Sequence, residues 1–435
     1  MLRQLKLLFL LPFPPRLDAA HGGARVLAQL LQKMCDRHHV GLLCLRTGGE
    51  PPIDDDLRNR CALTCEIKRS GTVDSFTGRW FRRGRQAGGL FLGRPTSVTS
   101  HAVGAYRSEL CRLLHDWQPD VVQIEYPTMG QYASCLNGCL RPRILTMHEP
   151  AAQAAQQLKN SGNGVGRVVR FLDALAWQRF ERSLTRHVET LVVFTERDRR
   201  VLNRSAYSVP IVRIPIATCV SAREANPLGS SPPSVLFVGN FIHPPNVDAA
   251  LRLGQRIFPA VRKKFPDTSL YLVGDQPPPE ICRLSGAGIF VTGLVPEIAP
   301  FLDQAAVVVV PLRLGGGMRV KVLEALAAGK ALVASPLAVE GLDIETGMHA
   351  AIVDADEDFQ NAICRLLEHS DQRRLMAHRA RQWALENLDW EGSIGAYERL
   401  YNELISKYAF VHQTPHQEIT PGEREGAQSN RRHRM

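Results

Sequence analysis

Short apolar runs rich in β-branched residues alternate along the chain with longer amphipathic stretches. In the first half the runs fall at 5–11, 40–45, 121–125, 143–148, 190–195 and 211–216. In the second they fall at 234–239, 269–274, 288–292, 306–311, 331–334 and 350–354. Unbroken runs such as Val307–Val310 suit strands covered on both faces, as in parallel sheets between helices. Alternating strand and helix implies right-handed crossovers, so each half is expected to be a doubly wound, Rossmann-like α/β domain. The expected boundaries are 1–217 and 234–395, joined by a turn-rich linker at 218–233. A helix is expected over 396–410. The tail 411–435 lacks apolar periodicity and is expected to be disordered.

The run Leu5–Leu11 is short, is closed by Pro12-Phe13-Pro14-Pro15, and has no small-x-small site directly after it. It therefore reads as a buried first strand rather than part of a signal peptide. No segment approaches the ~20 apolar residues needed to span a bilayer, which leaves a soluble or peripheral chain. The ten cysteines include pairs four apart, Cys61/Cys65 and Cys135/Cys139, but no partner pair stands at zinc-finger spacing. Free thiols in a reducing cytosol are the expectation. Asp54-Asp55-Asp56 follows two prolines and is read as a solvated surface turn rather than a metal site.

Open sheets of this kind bind ligands beyond the carboxyl ends of their strands, so chemistry is sought just after strands and between the domains. After the first strand comes Gly22-Gly23, opening a helix with Leu27, Leu30, Leu31 and Met34 on one face. Paired glycines at a helix start let backbone N–H groups approach an anion, although a plain strand-to-helix turn has the same look. After the run 306–311 comes Gly315-Gly316-Gly317-Met318-Arg319-Val320-Lys321, with Glu324 about a turn later. Glycines for close backbone approach, two cations at a helix start and a carboxylate suit a nucleoside diphosphate: cations for phosphates, an acceptor for ribose hydroxyls. The alternative is a solvated surface with Glu324 as the i,i+3 partner of Lys321.

The block Gly316–Gly329, then Ala331–Ser335 and Glu340-Gly341, resembles retaining glycosyltransferases of the GT-B fold, in the group-1/family-4 type that builds bacterial exopolysaccharide. Phe237-Val238-Gly239-Asn240 with His243-Pro244-Pro245-Asn246, and the Gly22-Gly23 loop, extend the resemblance over roughly 1–405. It implies two Rossmann-like domains facing a cleft, with the C-terminal helix packing back on the first. It also implies sugar transfer from a nucleotide-diphosphate sugar to a glycan or lipid-linked acceptor, with retention, in polysaccharide biosynthesis. Glu324 matches the second glutamate of the family's Glu-x7-Glu pair, which contacts the ribose. Gly316 stands where the first glutamate, near the donor sugar, is usual, so the backbone of Gly317 and Met318 is expected there instead. The family's Arg after the first strand of the second domain is missing from Gly239–Asn246, which leaves the diphosphate to Arg319 and Lys321. Asn240 lies in that segment at the donor site. His148, which ends the run 143–148, matches a histidine lining the donor-sugar pocket. No cofactor and no metal are expected. The rival readings are a nucleotide-sugar epimerase on the same fold and a catalytically silent nucleotide- or glycan-binding relative.

Charge refines the picture. The chain has 53 Lys+Arg and 43 Asp+Glu over 435 residues, a net +10. Residues 1–215 carry 31 basic and 18 acidic side chains against 22 and 25 in the rest, so the surplus belongs to the acceptor-side domain. Within it, 76–94 has five arginines and no acid, interleaved with Trp80, Phe81, Leu90 and Phe91. That composition suits an anionic membrane surface or lipid-linked acceptor; a loop over the acceptor crevice is the plainer alternative. Single-stranded nucleic acid has the same affinity for such stretches, but no recognised motif accompanies it and nucleic acid is not expected. The location implied is cytoplasmic, peripheral on the inner face of the membrane.

Overall fold

A computed structural model describes all residues except 1–2, 20–21, 70–75, 137–140, 160–163, 206, 221–222, 318 and 414–435; for 76–83 and 410–413 only the backbone is described. The apolar runs form two parallel sheets. The first holds β1 (Lys6–Leu11), β2 (His39–Arg46), β3 (Leu63–Lys68), β4 (Val121–Glu125), β5 (Arg143–Met147), β6 (Thr190–Val193) and β7 (Ile211–Arg213). Their spatial order is β3-β2-β1-β4-β5-β6-β7. The second holds β8 (Ser234–Val238), β9 (Ser269–Val273), β10 (Ile289–Gly293), β11 (Val307–Val310), β12 (Ala331–Ala334) and β13 (Ala351–Ile352), in the order β10-β9-β8-β11-β12-β13. Two doubly wound Rossmann-like domains result. β1 pairs with both β2 and β4, and β8 with both β9 and β11, so strand order reverses beside β1 and beside β8. A crevice opens at each reversal.

β1, β4 and β11 are buried almost throughout, as strands covered by helices on both faces must be. Each fully buried Leu, Val or Phe contributes about 1.5–3 kcal/mol. One apolar cluster runs from Leu7 and Phe9 through Phe237 and Val309 to Trp390 and Tyr401, so the domains share a continuous core. The last helix, Trp390–Gln413, crosses back to the first domain and packs against the helix Gly22–Cys35. Ser393 there donates to the Pro215 carbonyl (2.6 Å) and the Tyr401 hydroxyl donates to Gln123 Oε1.

Three sequence expectations differ from the structure. β3 was not expected: its Leu-Thr-Cys-Glu-Ile-Lys alternates polar and apolar and is only half-buried at the sheet edge, without the unbroken apolar run of the inner strands. Asp54–Asp56 is not a loose turn, since Asp54 caps the helix Asp55–Arg60 by accepting from the Leu57 N–H (2.8 Å), and Asp56 pairs with Arg60. The basic stretch 76–94 is largely a helix, Phe76–Phe91, rather than a loop. Of the tail, 411–413 continue the last helix and 414–435 lie outside the described residues. Among the described residues no helix is long and apolar enough to cross a membrane.

Candidate active site

Both crevices open onto one cleft. Gly22 starts the helix after β1, and Val320 starts the helix Val320–Ala327 after β11. The two helix ends nearly touch: a Cβ on Gly22 would stand 2.7 Å from the Val320 Cβ. Gly22 and Gly23 line a cavity of about 370 Å³ together with His148, Glu149, Asn240, the 315–317 loop, Lys321 and Glu324. A neighbouring lobe of about 730 Å³ shares Arg25, Val238, Gly239 and Glu324 and extends past Gly274, Asp275 and Val295. Two helix N-termini directed at one cavity give it positive potential without any side chain.

Lys321 is the cation at its floor. Its Nζ donates to Asn246 Oδ1 (2.6 Å) and lies 4.5 Å from the centre of the Phe237 ring. Burial, reinforced by the nearby Arg319 cation, pushes its pKa down to about 7. Arg319, expected on the diphosphate, also lines this cavity, but its Nη atoms are committed to the glycine loop. Its guanidinium donates to the carbonyls of Gly315 (3.0 Å), Gly316 and Gly317 and clamps the loop. Those carbonyls would otherwise be left poorly satisfied in a tight turn, so the cation is spent on holding its shape. Burial lowers the Arg319 pKa, against the pull of Glu149 and Asp198.

Glu324 meets the first domain. Arg25 Nε (2.9 Å) and Nη2 (2.6 Å) both donate to Glu324 Oε1, across the cleft, and Arg25 Nη1 donates to the Ala19 carbonyl (2.8 Å). Both cross-cleft bonds use one oxygen, which leaves Oε2 for another donor. Sequence reasoning missed Arg25; a cation one turn into the Gly-Gly helix was the available signal.

His148 follows β5 and is held from three sides. Its ring stacks on Tyr126 (centroids 3.7 Å apart, planes 6° apart), meets Phe194 edge-on at 5.0 Å, and Nε2 lies 2.7 Å from Glu125 Oε2. Glu125 is fully buried and also accepts from Gln123 Nε2 (2.6 Å) and Thr146 Oγ1 (3.1 Å), and Gln123 in turn is held by Tyr401. In a neutral imidazole, a proton on Nε2 would serve this contact and Nδ1 would then be an acceptor. This support from β4 and the last helix was invisible in the sequence, because 125 and 401 meet only in the fold.

Asn240 lines the cavity, but its amide oxygen accepts from the Ile242 N–H (3.0 Å) and its carbonyl from Asn246 Nδ2 (2.7 Å); it shapes the turn that carries Asn246 to Lys321. Gly315 (φ 106°) and Gly317 (φ 70°) need glycine. A Cβ on Gly317 would also stand 2.3 Å from the His148 carbonyl oxygen. At Gly317 the loop packs directly against the opposite domain. Gln157 Oε1 accepts from the Gly315 N–H (3.0 Å), and Arg197 pairs with Glu340 (3.1 Å), again from one domain to the other. Met318 lies outside the described residues. Among those residues no group of three or more His, Cys, Asp and Glu is placed to hold a metal ion.

Comparison with known proteins agrees with this construction. Residues 21–217 match the model of the glycosyl transferase 4-like domain, and residues 232–369 that of the glycosyl transferases group 1. An uncharacterized glycosyltransferase of Methanocaldococcus jannaschii is 29% identical over 96 residues, 21% of this chain and 24% of that protein. The match thus spans about a quarter of the curated relative. Among solved structures, the sucrose-phosphate synthase of Thermosynechococcus elongatus superposes with a TM-score of 0.68 at 16% identity, over 93% of this chain and 100% of that one. WaaG, a glycosyltransferase involved in lipopolysaccharide biosynthesis, gives 0.58 at 15% over 94% and 100%; Anabaena HepE in complex with UDP and glucose gives 0.58 at 14% over 94% and 100%. At these identities the structures speak for the fold alone, and that fold is GT-B. With each of its domains matched by a glycosyltransferase family model, the chain is a glycosyltransferase of the GT-B fold.

Proposed function

We propose that this chain transfers a sugar from a nucleotide-diphosphate sugar to a glycan or lipid-linked acceptor in the interdomain cleft, with retention at the anomeric carbon. The observation that carries the reading is the convergence of two helix N-termini, Lys321 and Glu324 on one cavity. The diphosphate lies between Gly22-Gly23 and the start of Val320–Ala327, where Lys321 supplies the cation. Glu324 Oε2 accepts from a ribose hydroxyl, with the nucleoside in the larger lobe and the sugar beside His148. His148 Nδ1 accepts from a sugar hydroxyl. As the acceptor oxygen bonds to the anomeric carbon, the bond to the diphosphate breaks, and the acceptor proton passes to the departing phosphate on the same face. Preorganised dipoles act most strongly there, because that is where negative charge develops. The chain's own groups meet that charge, and the scheme uses no metal or cofactor.

The acceptor side faces an anionic membrane surface in this account, on the cytoplasmic side, in bacterial polysaccharide assembly. The polysaccharide role rests on the resemblance of the block Gly316–Gly329 to the group-1/family-4 type. For the membrane, the support is a surface rather than a motif. Phe91 and Leu92 are 93% and 74% exposed at the end of the basic helix. The neighbouring helix Val165–Leu184 exposes Val165, Val168, Phe171 and Leu172 beside Arg167 and Arg170. Apolar side chains flanked by arginines bury into the headgroup layer while the charges hold its surface.

A thermal-shift screen of nucleotide sugars tests the donor site, since a ligand of the folded state raises its melting temperature. Nucleoside diphosphate release on adding acceptor then tests transfer. Release of free epimer without acceptor would favour epimerisation, and binding with no release on any acceptor would favour a silent relative. Co-sedimentation with anionic vesicles, lost at high salt, is expected; indifference to lipid charge and salt would remove the membrane.

A further inference from the structure

The cavity beside His148 holds a carboxylate that the reading above leaves idle. Glu149 sits between His148 and Pro150, where the proline confines its backbone to extended conformations and so fixes where its side chain begins. Its side chain is exposed, and it lines the 370 Å³ cavity opposite Lys321 and Glu324.

Gly316 is the informative neighbour. Gly315 and Gly317 are glycines by necessity of backbone, but Gly316 is not: its φ is ordinary, and an added Cβ would meet its nearest atoms at 3.6 Å or more. Those atoms are Glu149 Cβ (3.6 Å), Glu149 Oε2 (3.8 Å) and Arg197 Nη1 (3.8 Å). A side chain fits there sterically, but an acidic one would set two carboxylates against each other across the cleft, where like charges repel. Positions 149 and 316 thus adjoin one place in the cavity, from opposite domains.

We propose that Glu149 is a specificity-determining residue of the donor site, whose carboxylate accepts hydrogen bonds from hydroxyls of the sugar and is supplied across the cleft because position 316 is glycine. A carboxylate is the natural reader of vicinal hydroxyls, since it offers two acceptor oxygens and no donor. Placing it on the first domain makes sugar recognition depend on domain closure: the nucleotide is held by the second domain, and the sugar is read only when His148-Glu149 meets the 315–317 loop.

The inference rests on the sugar-transfer reading, and the test separates the two. Wild type, Glu149→Gln, Glu149→Ala, Gly316→Glu and the double variant Glu149→Ala/Gly316→Glu are titrated calorimetrically. The probes are UDP, GDP and ADP and their glucose or mannose conjugates. Hydrogen bonds to a charged group predict that Glu149→Gln weakens the sugar conjugate roughly ten- to a hundredfold, with the free diphosphate changed by less than about twofold. Gly316→Glu in the wild-type background weakens the conjugate as well, and in the Glu149→Ala background it restores affinity. Rescue in the double variant is an outcome that a merely structural role of Glu149 would not produce. Equal loss for conjugate and free diphosphate, no loss for either, or failure of rescue overturns the inference while leaving the nucleotide site standing. A wild-type protein that binds none of the diphosphates overturns the sugar-transfer reading, and this inference with it.

Discussion

Raising the pH from about 7 to about 8.5 is expected to weaken donor binding through Lys321, because the free site holds that lysine near its midpoint at neutrality. The perturbation has a structural cause. Lys321 lies in the cavity floor against the Phe237 ring, with Asn246 as its hydrogen-bond partner and the Arg319 cation nearby, and its pKa is about 7. A bound diphosphate sets negative charge beside the ammonium and moves the pKa back toward the ordinary lysine value of about 10.4. Binding above neutrality therefore takes up a proton. Integrating that uptake gives a loss of affinity of roughly 15-fold between pH ~7 and ~8.5, approaching tenfold per pH unit at the upper end. A nucleotide sugar is the right probe, since its diphosphate has no group titrating in this range. Calorimetry in two buffers of different ionisation enthalpy counts the proton directly, with close to one taken up at the higher pH. Lys321→Met should bind more weakly at neutral pH and show no slope. The unliganded protein moves the other way. A lysine whose folded pKa lies below its unfolded one binds fewer protons in the folded state between those values, so stability rises from pH ~7 to ~10 and Lys321→Met removes that rise. A flat wild-type binding profile, or a slope that survives in Lys321→Met, refutes the assignment of Lys321 to the phosphates.

Arg25→Ala should weaken nucleotide affinity several-fold and speed hydrogen exchange in the helix Gly22–Cys35, because Glu324 loses the partner that holds Oε1 and the cleft loses a cross-domain bond. Glu125→Ala should destabilise the fold by about 3 kcal/mol in denaturant titration, since His148, Gln123 and Thr146 lose a buried partner. Gly317→Ala should cost about 1–3 kcal/mol and depress turnover, its Cβ meeting the His148 carbonyl at a positive φ, while Gly316→Ala is tolerated. Turnover is expected to survive EDTA, as Lys321 and the two helix ends meet the leaving charge.

Strands buried on both faces announced themselves by composition: Val307–Val310 has no polar position to confuse the reading, and Leu5–Leu11 only Lys6. β3 did not, because an edge strand needs only half its residues apolar and shares that pattern with an exposed helix. At the site, the glycine loop, Lys321 and Glu324 were legible because they lie within one strand-to-helix turn. Arg319 was legible as a cation but not in its direction, since which carbonyls need a donor depends on the loop's folded path. Arg25, Glu125 and Glu149 were not legible as partners at all. Each acts on a residue that chain topology, rather than spacing, brings within reach: 25 on 324, 125 on 148, and 149 beside 316.

The central claim is that one interdomain cavity both binds a nucleotide sugar and releases its diphosphate to an acceptor. The measurement is nucleoside diphosphate released from a nucleotide-sugar panel with membrane-extracted lipid-linked glycans, for wild type and Glu324→Ala. The account predicts acceptor-dependent release with one donor and its loss in Glu324→Ala through a raised donor KM. Release that ignores the acceptor, or a Glu324→Ala protein as active as wild type, would contradict it.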